Sequence, residues 1–457
     1  MRRLAVAAAL TLAACAPSAQ ALIYVDTDAP VPPAPGDPPD PARPAALVDR
    51  LRLDVLLPDG TLARTQEFAV HAGLFAARAV SFGVAPPVAT DGVRVRARLF
   101  RADRVEHGEP PASVTLDSTF ALPPLAADER RALTIVLSVD DVGLARGADT
   151  PLPPVDGAPE SARVGTWPGA AVVGCVEPAR PGEACVPGGA FWFGDPRARL
   201  SAEGPLTPRE RLVVVSPFYL GTHEVTVGEL RARWDALRTR TAPTAHDPTE
   251  SLSSLRTWCL WTAAPGPFEA LPVNCVTREI GDAYCRDRGG ALPTEAQLEL
   301  AASGRGAERD YVWGRDEPTC GDAVYALAGG GAPVSNGLPD CRAPNDRGGP
   351  RPAGSGARDR VRFTDGGEEV VDLAGNVEEW ARDRFSALDG PFWARPGVLV
   401  DPLADQPDPD GAGPWVTRGG GWLSAPYDLR AATRKPARDA VAASIGFRCA
   451  RPASPAR

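Results

Sequence analysis

The 457-residue chain has a single lysine, Lys435, only four histidines and no Cys-x-x-Cys pair. Zinc centres need such residues in clusters, so none is expected. Gly-x-Ser-x-Gly is absent, and Lys435 follows Arg434 rather than a P-loop glycine. The commonest hydrolase and nucleotide-binding signatures therefore drop out. Positive charge is the minority, with 49 Lys and Arg against 58 Asp and Glu and a net charge of −9. A nucleic-acid binder must neutralise phosphates, and this balance argues against one. No apolar run approaches the roughly 20 residues that span a bilayer as a helix. What the chain has in excess is glycine (46) and proline (50). Breakers at that density exclude a helical bundle, so loops and short elements dominate. Hydrophobic residues at 44% and charged residues at 23% still describe an ordinary folded protein.

Met1-Arg2-Arg3 is a short basic start before the apolar run Leu4–Ala14. The run is too short to cross a membrane and reads as a secretion signal. It ends Leu12-Ala13-Ala14-Cys15, which resembles the lipobox of bacterial lipoproteins. The resemblance implies lipidation at Cys15 and a signal and anchor over residues 1–21. An ordinary signal peptide cut after Ala19-Gln20-Ala21 is the alternative. Ala16, where an aspartate would resemble an inner-membrane retention signal, favours the outer membrane. Besides Cys15 there are cysteines at 175, 185, 259, 275, 285, 320, 341 and 449. An even number in an exported chain implies disulfides, although spacing alone does not select their pairing.

Residues 22–46 are proline-rich and acidic and read as a spacer lifting the protein off a membrane. Over 47–145, Leu51-Arg-Leu-Asp-Val55, Val93-Arg-Val-Arg-Ala-Arg-Leu99 and Leu133-Thr-Ile-Val-Leu-Ser-Val139 are strand-like. Pro58-Asp-Gly60 and Asp91-Gly92 supply turns between them, so an all-β sandwich is expected there. His71 and His107 are isolated and assigned no role. Residues 146–174 read as a second linker. From Cys175 onward the texture changes. Thr226-x-x-Glu229 and Thr294-x-x-Gln297 are capping boxes that open helices, and Glu279–Arg288 is a third helix stopped by Gly289-Gly290.

This second region carries a series of motifs in fixed order: Val186-Pro-Gly-Gly-Ala-Phe191, Pro217-Phe-Tyr-Leu-Gly-Thr-His-Glu-Val-Thr226 and Pro272-Val-Asn-Cys-Val276. Ala283-Tyr-Cys285, Leu292-Pro-Thr-Glu-Ala296, Val312-Trp-Gly314 and Asp372-Leu-Ala-Gly-Asn-Val-Glu-Glu-Trp380 come next, then Arg418-Gly-Gly-Gly-Trp422 and Ile445-Gly-Phe-Arg-Cys449. Together they resemble the formylglycine-generating enzyme (sulfatase-modifying factor) family. The resemblance implies a C-type-lectin-like α+β fold with little regular structure over 175–451. It also implies a Cys285–Cys449 disulfide, after which 175–185, 259–275 and 320–341 pair most simply as neighbours.

Active members of the family oxidise a cysteine of a client sulfatase, using copper, oxygen and two cysteines near the glycine-rich strand. Here the corresponding positions are Ser424 and about Leu429, and no cysteine occurs between Cys341 and Cys449. A serine hydroxyl does not replace a thiolate toward Cu(I). Copper is therefore not expected. The iron-dependent branch of the superfamily, the ergothioneine-type sulfoxide synthases, needs clustered histidines that this chain lacks. Ser424 has no visible base. The resemblance carries a calcium site over to Gly375, Asn376, Val377 and Glu379, whose oxygens suit Ca²⁺. Trp313, Trp380 and Trp422 read as core anchors, and Trp422, Ser424 and Tyr427 as the lining of a residual groove.

The expected protein is thus a lipoprotein of the cell envelope, outer membrane favoured, with a β-sandwich before a sulfatase-modifying-factor-like domain. That domain would bind or scaffold an envelope protein or peptide without catalysis. No nucleic acid is involved, and the membrane is met only through the lipid. The competing reading is a copper- and oxygen-dependent formylglycine-generating oxidase, or a diverged oxidoreductase of that family.

Overall fold

The computed structural model describes residues 19–453, except 39, 41–42, 86–91, 127, 196–209, 238, 252–253, 306, 328–338, 407–412 and 439–440. Cys15 and the apolar run before it lie outside the described residues. No described helix is long and apolar enough to cross a membrane.

The first domain is built of two sheets. One has the order Leu62–Ala69, Arg50–Leu56, Arg94–Phe100, Leu116–Ala121, Ala145–Arg146, and the other Ser81–Val84, Gln20–Thr27, Arg130–Leu137, Val155–Asp156. Alternation decides the inner face: Leu51, Leu53, Val95, Ala97 and Leu99 share one core with Ile23, Val25, Leu133 and Ile135. The intervening polar residues pair across the outer face, as in the Arg98–Asp54 bridge at 2.6 Å.

Two stretches read as linkers belong to this sandwich. Gln20–Thr27 lies in its second sheet, in parallel register with Arg130–Leu137. Ala21, Ile23 and Val25 alternate inward, a strand pattern masked by the prolines that follow. Ala29 and Val31 continue into the core, so the proline-rich segment is part of the domain and not a spacer beneath it. Val155–Asp156 pairs with Leu133–Thr134, and Trp167 is buried with its indole N–H donating to Asp140 Oδ1 at 2.8 Å. The stretch 146–174 is therefore tied down as well.

The second domain has three helices of seven residues or more among those described: Val227–Arg233, Arg278–Asp287 and Glu295–Ala302. Both expected capping boxes form, Thr226 with Glu229 and Thr294 with Gln297. Small sheets surround the helices. Glu183–Val186, Phe218–Gly221 and Ala450–Pro452 form one, joining both ends of the domain. Arg434–Ala437, Trp415–Arg418, Glu378–Arg384 and Ile445–Gly446 form another, which carries the glycine-rich strand. Four disulfides close the fold: Cys175–Cys185, Cys259–Cys275, Cys285–Cys449 and Cys320–Cys341. The architecture is α+β.

The two domains share one core. Trp192 and Leu212 of the second domain pack into the sandwich interior, and Trp192 Nε1 donates to Leu47 O at 3.2 Å. Around this contact Arg104 grips Glu210 through two bonds of 2.7 and 2.9 Å. Arg101 bonds both Glu210 and Glu308.

Candidate functional site

The glycine-rich strand turns inward where it ends. A Cβ on Gly420 would sit 2.7 Å from Leu429 Cδ2 and 2.8 Å from Ala374 O, so no other residue fits. Gly420 N donates to Ala374 O and Trp422 N to Asn376 O, both at 2.8 Å. These bonds draw Trp422 into the interior, where it is 1% exposed, meets Trp258 at 5.0 Å and donates from Nε1 to Ala443 O. Trp422 therefore lines no groove. Ser424 and Leu429 are buried too, whereas Leu423 and Tyr427 are 44% and 46% exposed.

Ser424 Oγ accepts from Gly421 N at 2.9 Å and lies 3.3 Å from Lys435 Nζ. The lysine is thus the basic residue beside Ser424 that sequence reasoning missed. Lys435 Nζ also lies 3.0 Å from Glu378 Oε1 and 3.4 Å from Asp428 Oδ2. Burial works to lower its pKa, but the two carboxylates outweigh burial and leave it above its ordinary value. An ammonium has no lone pair with which to take a proton from Ser424. Strand pairing makes this contact: Lys435 lies opposite Thr417, and Thr417 Oγ1 donates to Glu378 Oε2 at 3.1 Å.

Behind the strand lies a second buried cluster, around the loop that precedes Trp380. Asp359 accepts the backbone N–H groups of Leu373, Ala374 and Gly375 at 2.8–3.1 Å. Burial and the nearby Asp372 push the Asp359 carboxyl up to about 7. Glu224, raised well above the ordinary range by burial and then by Asp372, accepts from Val377 N and the Asn376 amide. Arg448 donates to Glu379 Oε1 at 2.7 Å and to three backbone carbonyls. Four carboxyl groups thus gather around one guanidinium. Glu379 Oε2 and Asp372 Oδ1 are buried without a hydrogen-bond partner.

Of the expected calcium residues, Gly375 and Val377 spend their N–H groups on Asp359 and Glu224. Asn376 Oδ1 accepts from Arg351 N at 2.9 Å, and Glu379 is paired with Arg448. Among the described residues no three His, Cys, Asp or Glu side chains form a metal-holding group. Trp380 is fully buried, and Trp313 stacks on Tyr311 at 5.2 Å. Sequence assigned no role to Asp359, nor to Glu224 and Asp372, although those two lie inside the quoted motifs. Arg448 lies inside the closing Gly-Phe-Arg-Cys motif and could have been singled out.

A family model described as the sulfatase-modifying factor enzyme 1-like domain matches residues 174–453. The chain belongs to this family. The formylglycine-generating enzyme of Thermomonospora curvata is 28% identical over 303 residues, 59% of this chain and 93% of that enzyme. That of Mycobacterium tuberculosis is 30% identical over 229 residues, 44% of this chain and 69% of that enzyme. A Bos taurus relative named inactive C-alpha-formylglycine-generating enzyme 2 is 26% identical over 306 residues, covering 58% and 86%. Among solved structures, PvdO from Pseudomonas aeruginosa aligns at 22% identity with a TM-score of 0.41, over 59% of this chain and 94% of that one. The family match starts at residue 174, so the sulfatase-modifying-factor domain excludes the sandwich.

Proposed function

We propose that this protein is an exported lipoprotein whose sulfatase-modifying-factor domain is a non-catalytic binding or scaffolding module of the cell envelope. The observation that carries the reading is the environment of Ser424. Where the family resemblance expects a copper thiolate, a serine hydroxyl is bonded to Gly421 N–H and the Lys435 ammonium. The second expected position, Leu429, is a buried apolar side chain. A cation already paired with two carboxylates opposes a metal at the same place, and neither residue is a soft ligand. The surface left there is Leu423 and Tyr427, an apolar and aromatic pair suited to an envelope protein or peptide.

Export and lipidation rest on Cys15 and the apolar run before it. The sandwich strand Gln20–Thr27 supports Cys15 over a cut after Ala21, which would remove two residues from that strand. A lipid on Cys15 would hold the sandwich directly against the membrane. Calcium belongs to the same reading. The bare oxygens Glu379 Oε2 and Asp372 Oδ1, amid an excess of buried carboxyls, fit a hard cation. Gly375 and Val377 would add carbonyl oxygens, and Asn376 would have to release Arg351. Bound calcium would supply charge balance to the loop before Trp380. Added Ca²⁺ should then raise the Tm, and EDTA should reverse the rise. A Tm indifferent to both removes the cation.

The deciding experiment incubates the disulfide-intact protein with Cu(I), oxygen and a cysteine-containing sulfatase-motif peptide, and reads copper retention and peptide mass. The expected result is neither tight copper nor conversion. Conversion above a protein-free control would restore the oxidase reading and turn attention to Cys320 and Cys341. Palmitate labelling of wild type against Cys15→Ala tests the anchor, with loss of label in the variant expected.

A further inference from the structure

The junction between the domains forms a partly open cleft of about 200 Å³ whose wall is assembled from both. The sandwich side contributes Arg43 and Ala45, the connecting segment Ala170 and Val172, and the second domain Pro187 to Ala190 with Leu300 and Arg305. The side chains lining it are small and apolar except for the two arginines, and the backbone of its glycines adds polar surface. Arg43 is held loosely at the surface, 3.5 Å from Asp37.

Arg305 is the unusual member. Its side chain is half-buried and has no hydrogen-bond or ion-pair partner among the described residues. Burial alone shifts its pKa, and downward. Its backbone is left-handed, with φ of +56°, directly after Gly304 at +77° where helix Glu295–Ala302 ends. Arg305 N donates to Leu300 O at 2.9 Å and closes that end. Glycine or asparagine is the residue such a position favours. The chain therefore places a long cation in a strained conformation and partly removes it from water, with no counter-charge among the described residues. The backbone of Arg305 serves the helix end, but its side chain has no polar contact among the described residues that would repay this placement.

The geometry points to a binding site for a small carboxylate with a short apolar tail, its anionic head on the Arg305 guanidinium and its tail against Ala45, Ala170, Val172 and Leu300. A guanidinium presents a planar fork that matches a carboxylate with two parallel bonds. The cleft is below the roughly 300–1,000 Å³ of drug-sized ligand sites, so the ligand is a short monocarboxylate. Arg43, exchanging its long contact to Asp37, sits where it adds a second positive charge at the rim. This site is independent of Ser424, and it stands or falls apart from the reading of the glycine-rich strand.

Hexanoate is the probe, titrated calorimetrically into the full mature chain, with hexan-1-ol and inorganic phosphate as controls. The expected result is saturable 1:1 binding of hexanoate in the submillimolar range. Both controls should bind at least about tenfold more weakly, because each lacks either the charge or the tail. Arg305→Met should weaken hexanoate about tenfold or more, and Arg305→Lys should recover only part, since a point charge replaces the fork. Arg305→Gly separates binding from folding. It should abolish binding while leaving the Tm unchanged or raised by about 1–2 °C, because glycine relieves the left-handed residue. The proposal is overturned if hexanoate shows no saturable binding up to about 10 mM, far above the submillimolar range expected. It is equally overturned by hexanol or phosphate matching hexanoate, or by Arg305→Met binding like wild type. A lower Tm in Arg305→Gly would make the arginine a structural residue and also overturn it.

Discussion

In the sandwich, Arg50–Leu56 is paired along its full length on both sides, and Gln20–Thr27 along its full length with Arg130–Leu137. The second domain has little of this. Its strands are mostly of two to five residues, and it holds every disulfide of the chain together with the buried ion pairs Glu295–Arg434, Glu299–Arg418 and Glu379–Arg448. Hydrogen-bonded ladders satisfy backbone groups as they bury apolar side chains, so the sandwich needs no cross-link. Irregular loops do neither well. The second domain instead relies on covalent closure and on carboxylates that cap loop N–H groups, as Asp359 does. That reliance leaves it dependent on oxidation state and pH, and the sandwich much less so.

The sharpest way to break this contrast is to open Cys285–Cys449, which spans 164 residues. Replacing both cysteines by alanine should cost about 5 kcal/mol by the chain-entropy estimate. Denaturant titration should show the loss in the second domain's transition. An equal loss in a sandwich-specific signal would mean that the shared core makes the two unfold as one. Arg104→Met tests that coupling directly. It leaves Glu210, 3% exposed, without its two-bond partner. Breaking a buried pair in this way should cost about 3–5 kcal/mol. If this ion pair is what couples the domains, differential scanning calorimetry will resolve one transition into two, whereas a single transition at lower temperature would leave the coupling to the shared core.

How much of this was legible follows the same division. Leu51–Val55 and its neighbours could be read because alternation is local and one face is wet. Gln20–Thr27 could not, since its partner Arg130–Leu137 lies over a hundred residues away and prolines follow it. In the second domain the capping boxes were legible as local chemistry. The Cys285–Cys449 pairing came from resemblance, and the other three from proximity. The cluster at Ser424 is tertiary: Lys435 reaches it only through pairing beside Trp415–Arg418. One signal pointed there. A chain that otherwise uses arginine kept a single lysine, and that lysine lies beside Ser424. Groove exposure at Trp422 was misjudged because burial depends on where the glycines turn the strand.

The pH response should separate the domains next. Burial, reinforced by Glu295, pushes the Asp383 carboxyl up to about 7, and burial does the same to Glu299 despite Arg418. A carboxyl with a raised native pKa contributes its full stabilisation below its ordinary value near 4, where both states hold the proton; above that the unfolded chain releases a proton the native state keeps. That stabilisation is lost as pH rises to about 7. The second domain's Tm should therefore fall between pH 5 and pH 8, and Asp383→Asn should flatten the slope. A Tm that rises over this interval would mean that these acids are ionised in the native state.

The smallest effect expected is at Lys435, and it bears on function more than on stability. Lys435→Met removes the ammonium from between Glu378 and Asp428, which are 13% and 11% exposed at their side chains. A partly exposed pair of this kind is worth about 1 kcal/mol. Lys435→Arg should restore most of it, because any cation there satisfies the carboxylates. A base serving Ser424 would behave differently, since arginine does not give up its proton and cannot replace a catalytic lysine. An active-site probe such as a fluorophosphonate, which labels activated serines, should therefore leave Ser424 unmodified in both wild type and Lys435→Arg. Labelling in wild type that disappears in Lys435→Arg would show a nucleophile where the binding reading has only a hydrogen-bonded hydroxyl.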